Sequence, residues 1–466
     1  YEKKSERKEV RMKIKKIPII ACLIVLSLVF ALFSGCVAVG NDESSVNGTY
    51  KLAEGNENKT YSSLTLKDGE WTAISADKSI NGTFTINSAK LSFYESDKEG
   101  KQTLCAYAFL KSSEWLRVYP VTETRMTYDF TKSGAAPSGE KTDTTNLTYK
   151  LSDNGEYYVV TSADGSYGEV IVPSEYNGKP VKEIAKLAFY RCLNVVRVIL
   201  PDTVEKINEE AFRGCESLYA VYPGKNLTVI SEKAFYGCSV LRFFHASFVK
   251  TIAKQAFFGA DMSGFSIPDT VEYIGEEAFS YTSIVSVEIP AATSYIGTRA
   301  FANCANIDEI SVDESNATYS SYGEHCIVDK AQGLLLAGCS KTTLPTGGKV
   351  KIIGEGAMSG LSDLTSIVFP AEITEIRRGG FEDCKAIESI YYLGTSPKGW
   401  IAIQKTSNNV KFFRANVYIY SENEPEINEK KDGYASKDDY KCMFWRYVGG
   451  KPALWRFTEE HPPAKN

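Results

Sequence analysis

Side chains able to act as bases, nucleophiles or metal ligands are few in this sequence and widely spread. The chain of 466 residues has 3 histidines, His245, His325 and His461, and none lies at a metal-binding spacing from another. HExxH, Cys-x-x-Cys, GxSxG and Walker-type loops are all absent, so no residue is assigned a catalytic or metal role and no cofactor is expected. The 11 cysteines say more. Five of them, Cys192, Cys215, Cys238, Cys304 and Cys384, recur in one repeating context. On strands stacked about 4.8 Å apart such thiols would come near bridging distance. The simpler reading, preferred here, is a lane of small buried hydrophobic residues. Cys326 and Cys339 flank a turn unequally, and nothing in their spacing supports a bridge.

Cys36 stands in a different setting. Lys13, Lys15 and Lys16 precede an apolar run from Ile17 to Phe33, followed by Ser34, Gly35 and Cys36. That order is a charged region, an apolar region and a small-residue cleavage site. An apolar run of this length also suits a membrane helix, but the cysteine directly after Ser-Gly favours export. The segment resembles a bacterial lipoprotein signal, with Phe33 where leucine is commoner. The resemblance implies that residues 1–35 are removed, that Cys36 is lipidated, and that 36–45 is the anchored N-terminal segment. Met12 is read as the translation start. With Cys22 in the signal and Cys36 under lipid, nine of the 11 cysteines remain, an odd number. Residues 1–35 carry 8 Lys/Arg and 3 Asp/Glu of the 53 and 58 in the chain, leaving 45 against 55, a net charge of −10. Phosphate binding needs a basic face, so nucleic acid is not an expected partner. The expected location is the bacterial cell surface, with the lipid as the membrane attachment.

The elements that would position any functional residue declare themselves by repetition. Ala-Phe recurs with its alanine at 188, 211, 234, 256, 278 and 300, and the phase resumes with Ala357-Met358 and Gly380-Phe381. Each of the five repeat cysteines lies three residues beyond a Phe. Apolar runs ending in proline follow, as in Val198-Ile199-Leu200-Pro201 and Val287-Glu288-Ile289-Pro290, and a Val-x-x-Ile step precedes each Ala-Phe, as in Val204/Ile207 and Val271/Ile274. A unit of this kind alternates along a short strand, turns at proline and returns through a short helical turn holding Ala-Phe. It buries its apolar side only by stacking on its neighbours.

The unit running from Val271 to Pro290 resembles the BspA-type leucine-rich repeat of bacterial cell-surface proteins, over roughly residues 168–395. The resemblance implies a curved leucine-rich-repeat solenoid of parallel β-strands with short helical turns, serving adhesion and protein binding. Two coils depart from the pattern, one lacking the proline within Phe244–Phe248 and the other the cysteine within Phe257–Asp261. The solenoid with its closing coil is placed at 148–420, in about eight coils. A hairpin insertion near 313–347 is expected to project from one coil, built from Ser321–Lys330 and Leu334–Gly338 around a tight turn. Residues 421–439 read as a charged linker, and 440–466 as an aromatic hairpin around Gly449-Gly450. Upstream, residues 46–130 alternate apolar and polar between Asn-Gly and Asp-Gly turns, as expected of a small antiparallel β-barrel or sandwich, similar in style to lipocalin-like modules. Residues 131–147 form the linker between the two.

In each proline-terminated strand the residues before the apolar anchors face the concave surface. Arg197, Ile199, Tyr222, Phe243 and His245 then cluster on one exposed sheet, the composition of a protein-binding hot spot, with Glu288 and Glu309 adding an acidic stretch beside it. The same positions in later coils are Ser366, Val368, Ser389 and Tyr391. The expected partner is a protein or a host extracellular macromolecule. The competing readings are a small-ligand carrier acting through an apolar cavity in the N-terminal β-domain, and a structural spacer.

Overall fold

The computed structural model describes residues 48–52, 63–67, 70–74, 79–87, 90–96, 102–112, 115–120, 128–131, 146–244, 246–423 and 444–455. The leader, Cys36, the charged linker beyond 423, His245 and His461 lie outside these residues. The chain divides into two compact units, Tyr1–Gly139 and Glu140–Asn466.

The first unit is a closed barrel of eight antiparallel strands in sequential order, Gly48–Leu52 pairing both with Ser63–Lys67 and, to close the barrel, with Tyr128–Thr131. Strict alternation sends one face inward: Tyr50, Leu64, Leu66, Trp71, Phe84, Leu91, Phe93 and Leu116 are buried together. The Trp71 ring meets Phe93 edge-on at 5.8 Å, and its indole N–H donates to the Tyr94 carbonyl at 3.1 Å. This explains a departure from the sequence reading. Asn81-Gly82 does not form a turn but lies inside the strand Ser79–Asn87, with Gly82 opposite Trp71. A β-carbon on Gly82 would sit 1.9 Å from the Tyr94 carbonyl oxygen and 2.7 Å from the indole nitrogen, so glycine is required by the indole that crosses it.

The second unit is a solenoid of about 12 turns. Each coil contributes to three lanes. The proline-terminated strands stack in parallel, Val198 beside Val221 and Val221 beside Phe244. The Val-x-x-Ile steps form a second stack of two-residue strands, in which Ile184, Ile207, Ile230, Ile252, Ile274 and Ile296 follow one another in register. The third lane holds the Ala-Phe pairs. Phe212, Phe235, Phe257, Phe279 and Phe301 stack face to face at 4.9, 5.3, 5.5 and 5.4 Å, and the amides of the first four donate to the alanine carbonyl one coil on, as Phe235 does to Ala256 at 2.7 Å.

The Ala-Phe segments are single short turns, closed by bonds such as Tyr190 N–H to the Leu187 carbonyl at 3.0 Å, and none extends into a helix. The residue before the alanine has positive φ in coil after coil, in Leu187, Glu210, Lys233, Gln255, Glu277 and Arg299, and a second left-handed residue follows three positions beyond the alanine, at Arg191, Gly214, Gly237, Gly259, Tyr281 and Asn303. A right-handed helix cannot propagate through such residues. Amides along the segment alternate between local bonds three residues back, as Arg213 to Glu210, and bonds to the neighbouring coil, as Gly214 to Tyr236.

The insertion also differs from expectation. Cys326–Asp329 and Leu334–Gly338 do pair antiparallel, but the hairpin does not project. Leu334 and Leu335 continue the second stack in parallel with Ile352 and Ile353. Both faces are buried: Ile327, Ala337 and Cys339 join the core of the preceding coils, whereas Cys326, Val328 and Leu335 join that of the following ones. The hairpin is therefore a partition between two cores, and its two cysteines face opposite ways. Asn316 anchors its approach, donating to the carbonyls of Pro290 and Thr293 at 2.7 and 2.9 Å and accepting from the amides of Thr318 and Tyr319 at 2.9 and 2.8 Å.

At the far end the repeat is lost to the eye but not to the fold. Phe412, in the short helix Val410–Phe413, stacks on Phe381 at 3.9 Å and so occupies the Phe lane without a preceding Ala-Phe motif. Asn416–Tyr420 pairs in parallel with Ser389–Tyr392, and the aromatic hairpin, Phe444–Val448 with Lys451–Leu454, is added to the same sheet. Gly449 and Gly450, with φ of 59° and 78°, make its turn.

Candidate binding face

Cys192, Cys215, Cys238, Cys304, Cys326, Cys339 and Cys384 are all free thiols. Cys215, Cys238, Cys304 and Cys384 point into the core and donate to the carbonyls of Phe189, Phe212, Phe279 and Met358, one coil back, at 2.9 to 3.0 Å. Burial pushes Cys304 up to about 11 and Cys384 up to about 12, far from the range of a nucleophilic thiolate. Among the described residues no group of three or more His, Cys, Asp or Glu is placed to hold a metal ion. None of their helices is long and apolar enough to cross a membrane.

The face assignment of the strands agrees with the core: Val198, Leu200, Val221, Phe244, Val287 and Ile289 all belong to it, and the alternate residues do not. The exposure expected of the first coils is overturned. Arg197 is 0 % exposed, and Tyr222 and Phe243 are 4 % exposed each, with Ile199 half-buried. The cause is visible within the sheet. Phe243 leans onto the next coil, where a β-carbon on Gly264 would lie 2.7 Å from its ring, while Tyr219 packs edge-on against it at 5.4 Å and the Arg242 guanidinium lies 5.4 Å from its centre. Burial pushes the Tyr219 phenol up to about 12. Arg197 is wedged between Glu169 and Ala220 of the flanking strands. These side chains are structural. Glu288 and Glu309, by contrast, are exposed as expected.

The accessible aromatic surface on the outward face lies at the other end of the solenoid. Tyr391, Tyr418, Tyr420, Trp445 and Tyr447 sit on three hydrogen-bonded strands, Tyr391 opposite Tyr418 and Tyr420 opposite Trp445. Trp445 is the floor, fully buried, its indole N–H donating to the Tyr392 carbonyl at 3.0 Å. Around it Tyr391, Tyr420 and Tyr447 lie with ring centres at 5.4, 5.2 and 5.0 Å, and Tyr418 stacks on Tyr391 at 5.6 Å. Tyr447 is 46 % exposed, the other tyrosines half-buried. Burial, reinforced by Tyr420, raises the Tyr447 phenol above its ordinary range, so it presents a hydroxyl that donates and accepts. Sequence reasoning placed Tyr391 on this face but missed the rest, because nothing in the linker shows that the C-terminal hairpin returns to the sheet.

A second aromatic stripe, Tyr190, Arg213, Tyr236, Phe258 and Tyr281, runs along the turn lane. Within it Tyr236 and Phe258 lie parallel at 4.8 Å and Arg213 is paired with Glu210, while Tyr190 and Tyr281 are exposed.

Parallel coils in three lanes, with a core of stacked phenylalanines and one strand stack facing outward, define a leucine-rich-repeat solenoid. Residues 182–308, 250–326 and 335–404 match, in 6 copies, the model of the BspA type leucine rich repeat region, and this part of the chain is such a region. Similar solved structures include a leucine-rich repeat protein from Bacteroides ovatus, at 22% identity over 56% of this chain and 65% of that one, with a TM-score of 0.43. A leucine rich cell surface protein from Faecalibacterium prausnitzii shares 20% identity over 56% and 96% of the two chains, TM-score 0.33, and the pneumococcal vaccine antigen PcpA 16% over 53% and 70%, TM-score 0.37. The chain thus spans less than two thirds of the Bacteroides ovatus protein, and the likeness to all three is one of fold. No curated protein matches the sequence.

Proposed function

We propose that the protein is a lipid-anchored bacterial surface protein that recognises another protein, as in adhesion to host extracellular material, through the outward face of its last coils. The observation that carries this reading is the unbroken run of Tyr391, Tyr418, Tyr420, Trp445 and Tyr447 across three strands. Tyrosine and tryptophan supply large contact area at small entropic cost, and serines and asparagine beside them (Ser366, Ser389 and Asn416) complete a composition typical of protein-binding surfaces. A barrel whose described inward positions are filled by Trp71, Phe84 and Phe93 favours a structural role for the first unit over ligand carriage. Attachment through Cys36 rests on the leader alone.

The test compares wild type with Tyr391→Ala/Tyr447→Ala for adhesion to surfaces coated with host matrix proteins. Two truncated hot-spot residues at about 2 kcal/mol each lower affinity by roughly three orders of magnitude, with thermal melting little changed. Adhesion equal to wild type contradicts the assignment of the face.

A further inference from the structure

The outward face changes character along the solenoid. In the parallel pair Ser286–Ile289 and Glu309–Val312, Ser286 stands opposite Glu309 and Glu288 opposite Ser311, so two exposed carboxylates sit on neighbouring strands. Among the described residues neither takes part in an ion pair. Lys341, raised by its hydrogen bond to Asp308 and to a smaller extent by Glu309, is already committed to Asp308 at 2.7 Å. Further along, the outward positions of the strands from Ser366 to Leu454 carry serine, asparagine, valine, tyrosine, tryptophan, proline and leucine, with no lysine or arginine among them.

We propose that the occupant of this face is a cationic, extended segment of the partner protein, an inference that rests on the recognition role above. Its Lys or Arg side chains neutralise Glu288 and Glu309 and lie against the rings of Tyr391, Tyr418 and Tyr447, where the ring quadrupole attracts a cation. Glu288 and Glu309 are two like charges on adjacent strands, with the nearby Lys341 already paired to Asp308, so a further cation arriving there relieves their repulsion. An anionic partner meets carboxylates and no compensating cation, and a neutral glycan makes no use of them. The five strands from Ser366–Phe369 to Lys451–Leu454, at about 4.8 Å apart, form a platform roughly 20 Å across. About six residues of extended chain, at roughly 3.3 Å each, cross it.

The experiment measures fluorescence anisotropy of labelled nona-arginine on the full chain, with nona-glutamate and a Gly-Ser nonamer as comparison peptides. Nona-arginine binds, and more weakly as salt rises; Glu288→Gln/Glu309→Gln and, separately, Tyr391→Ala/Tyr447→Ala each weaken it by about tenfold or more. Asp269→Asn/Glu314→Gln removes the same charge from exposed positions elsewhere and leaves binding within about twofold. Equal losses in the two charge variants would reduce the effect to attraction by an acidic chain and overturn the proposal. Preference for either comparison peptide would do the same. If nona-arginine ignores the tyrosine variant while that variant still loses adhesion to matrix-coated surfaces, the cationic partner is wrong and the recognition face stands; if adhesion is also indifferent, both fall.

Discussion

Replacing Phe235 with alanine tests how the solenoid is held together. The ring is fully buried, stacked on Phe212 and Phe257 at 4.9 and 5.3 Å and edge-on to Phe244 at 5.2 Å. Loss of a buried phenylalanine costs about 3 to 5 kcal/mol, and three ring contacts of about 0.5 to 1.5 kcal/mol each place this site in the upper half of that range. Coupling in a stack of coils runs mainly between neighbours, so the loss is local. The amides of Phe212 and Phe235, which donate to Ala234 and Ala256 at 2.7 Å, should exchange about three orders of magnitude faster, since every 1.4 kcal/mol is tenfold. Amides beyond the Cys326–Gly338 hairpin, such as that of Met358, belong to the second core and should keep their protection. Hydrogen exchange followed by mass spectrometry resolves the two regions. A loss spread evenly over both, or one below about 0.5 kcal/mol, would refute the neighbour-coupled, partitioned core.

Other consequences are open to measurement. Asn316→Ala strands the Pro290 and Thr293 carbonyls and two amides in the interior and should cost about 2 to 3 kcal/mol in thermal or denaturant unfolding; a surface-like change would show that the hairpin approach is not anchored there. Burial pushes Cys326 and Cys384 up to about 12, so in native protein these two thiols should resist a thiol reagent that labels them once the chain is unfolded; rapid native labelling of either, located by mass spectrometry, would contradict their burial. Gly449→Ala/Gly450→Ala forces side chains into left-handed backbone at about 1 to 2 kcal/mol each and should release the hairpin, shifting Trp445 emission to the red; an unshifted spectrum would mean that the turn does not hold the indole in place. Cys36→Ala should abolish incorporation of labelled palmitate, and equal labelling of both proteins would remove the lipid from the account.

The lanes of the solenoid were legible because burial repeats with the coil: Ala-Phe, the cysteine three beyond the Phe and the proline-ended strand each mark a position that packs against its own image. Alternation also told which side of each strand faces the core. It could not tell whether the other side is open. Arg197, Tyr222 and Phe243 point outward and are nevertheless buried, because covering depends on what lies across the sheet, as Tyr219 and Gly264 do for Phe243. Left-handed residues at Glu210, Lys233 and Gln255 left no trace either, since their side chains are ordinary and the neighbouring coil imposes the conformation. Phe412 escaped because a lane needs only a ring at the right height, not an Ala-Phe pair, and the C-terminal tyrosine surface escaped because a charged linker separates its strands in sequence.

The most direct test of the recognition face is site-specific photo-crosslinking. A benzophenone side chain is placed at Tyr447 and, in a second protein, at Tyr281, an equally accessible tyrosine at 52 % exposure on the turn lane. Each is illuminated on a matrix-protein-coated surface to which the wild type adheres. Adducts from position 447 and none from 281 are the predicted result; adducts from 281 with none from 447 would place the partner on the turn side and contradict the account.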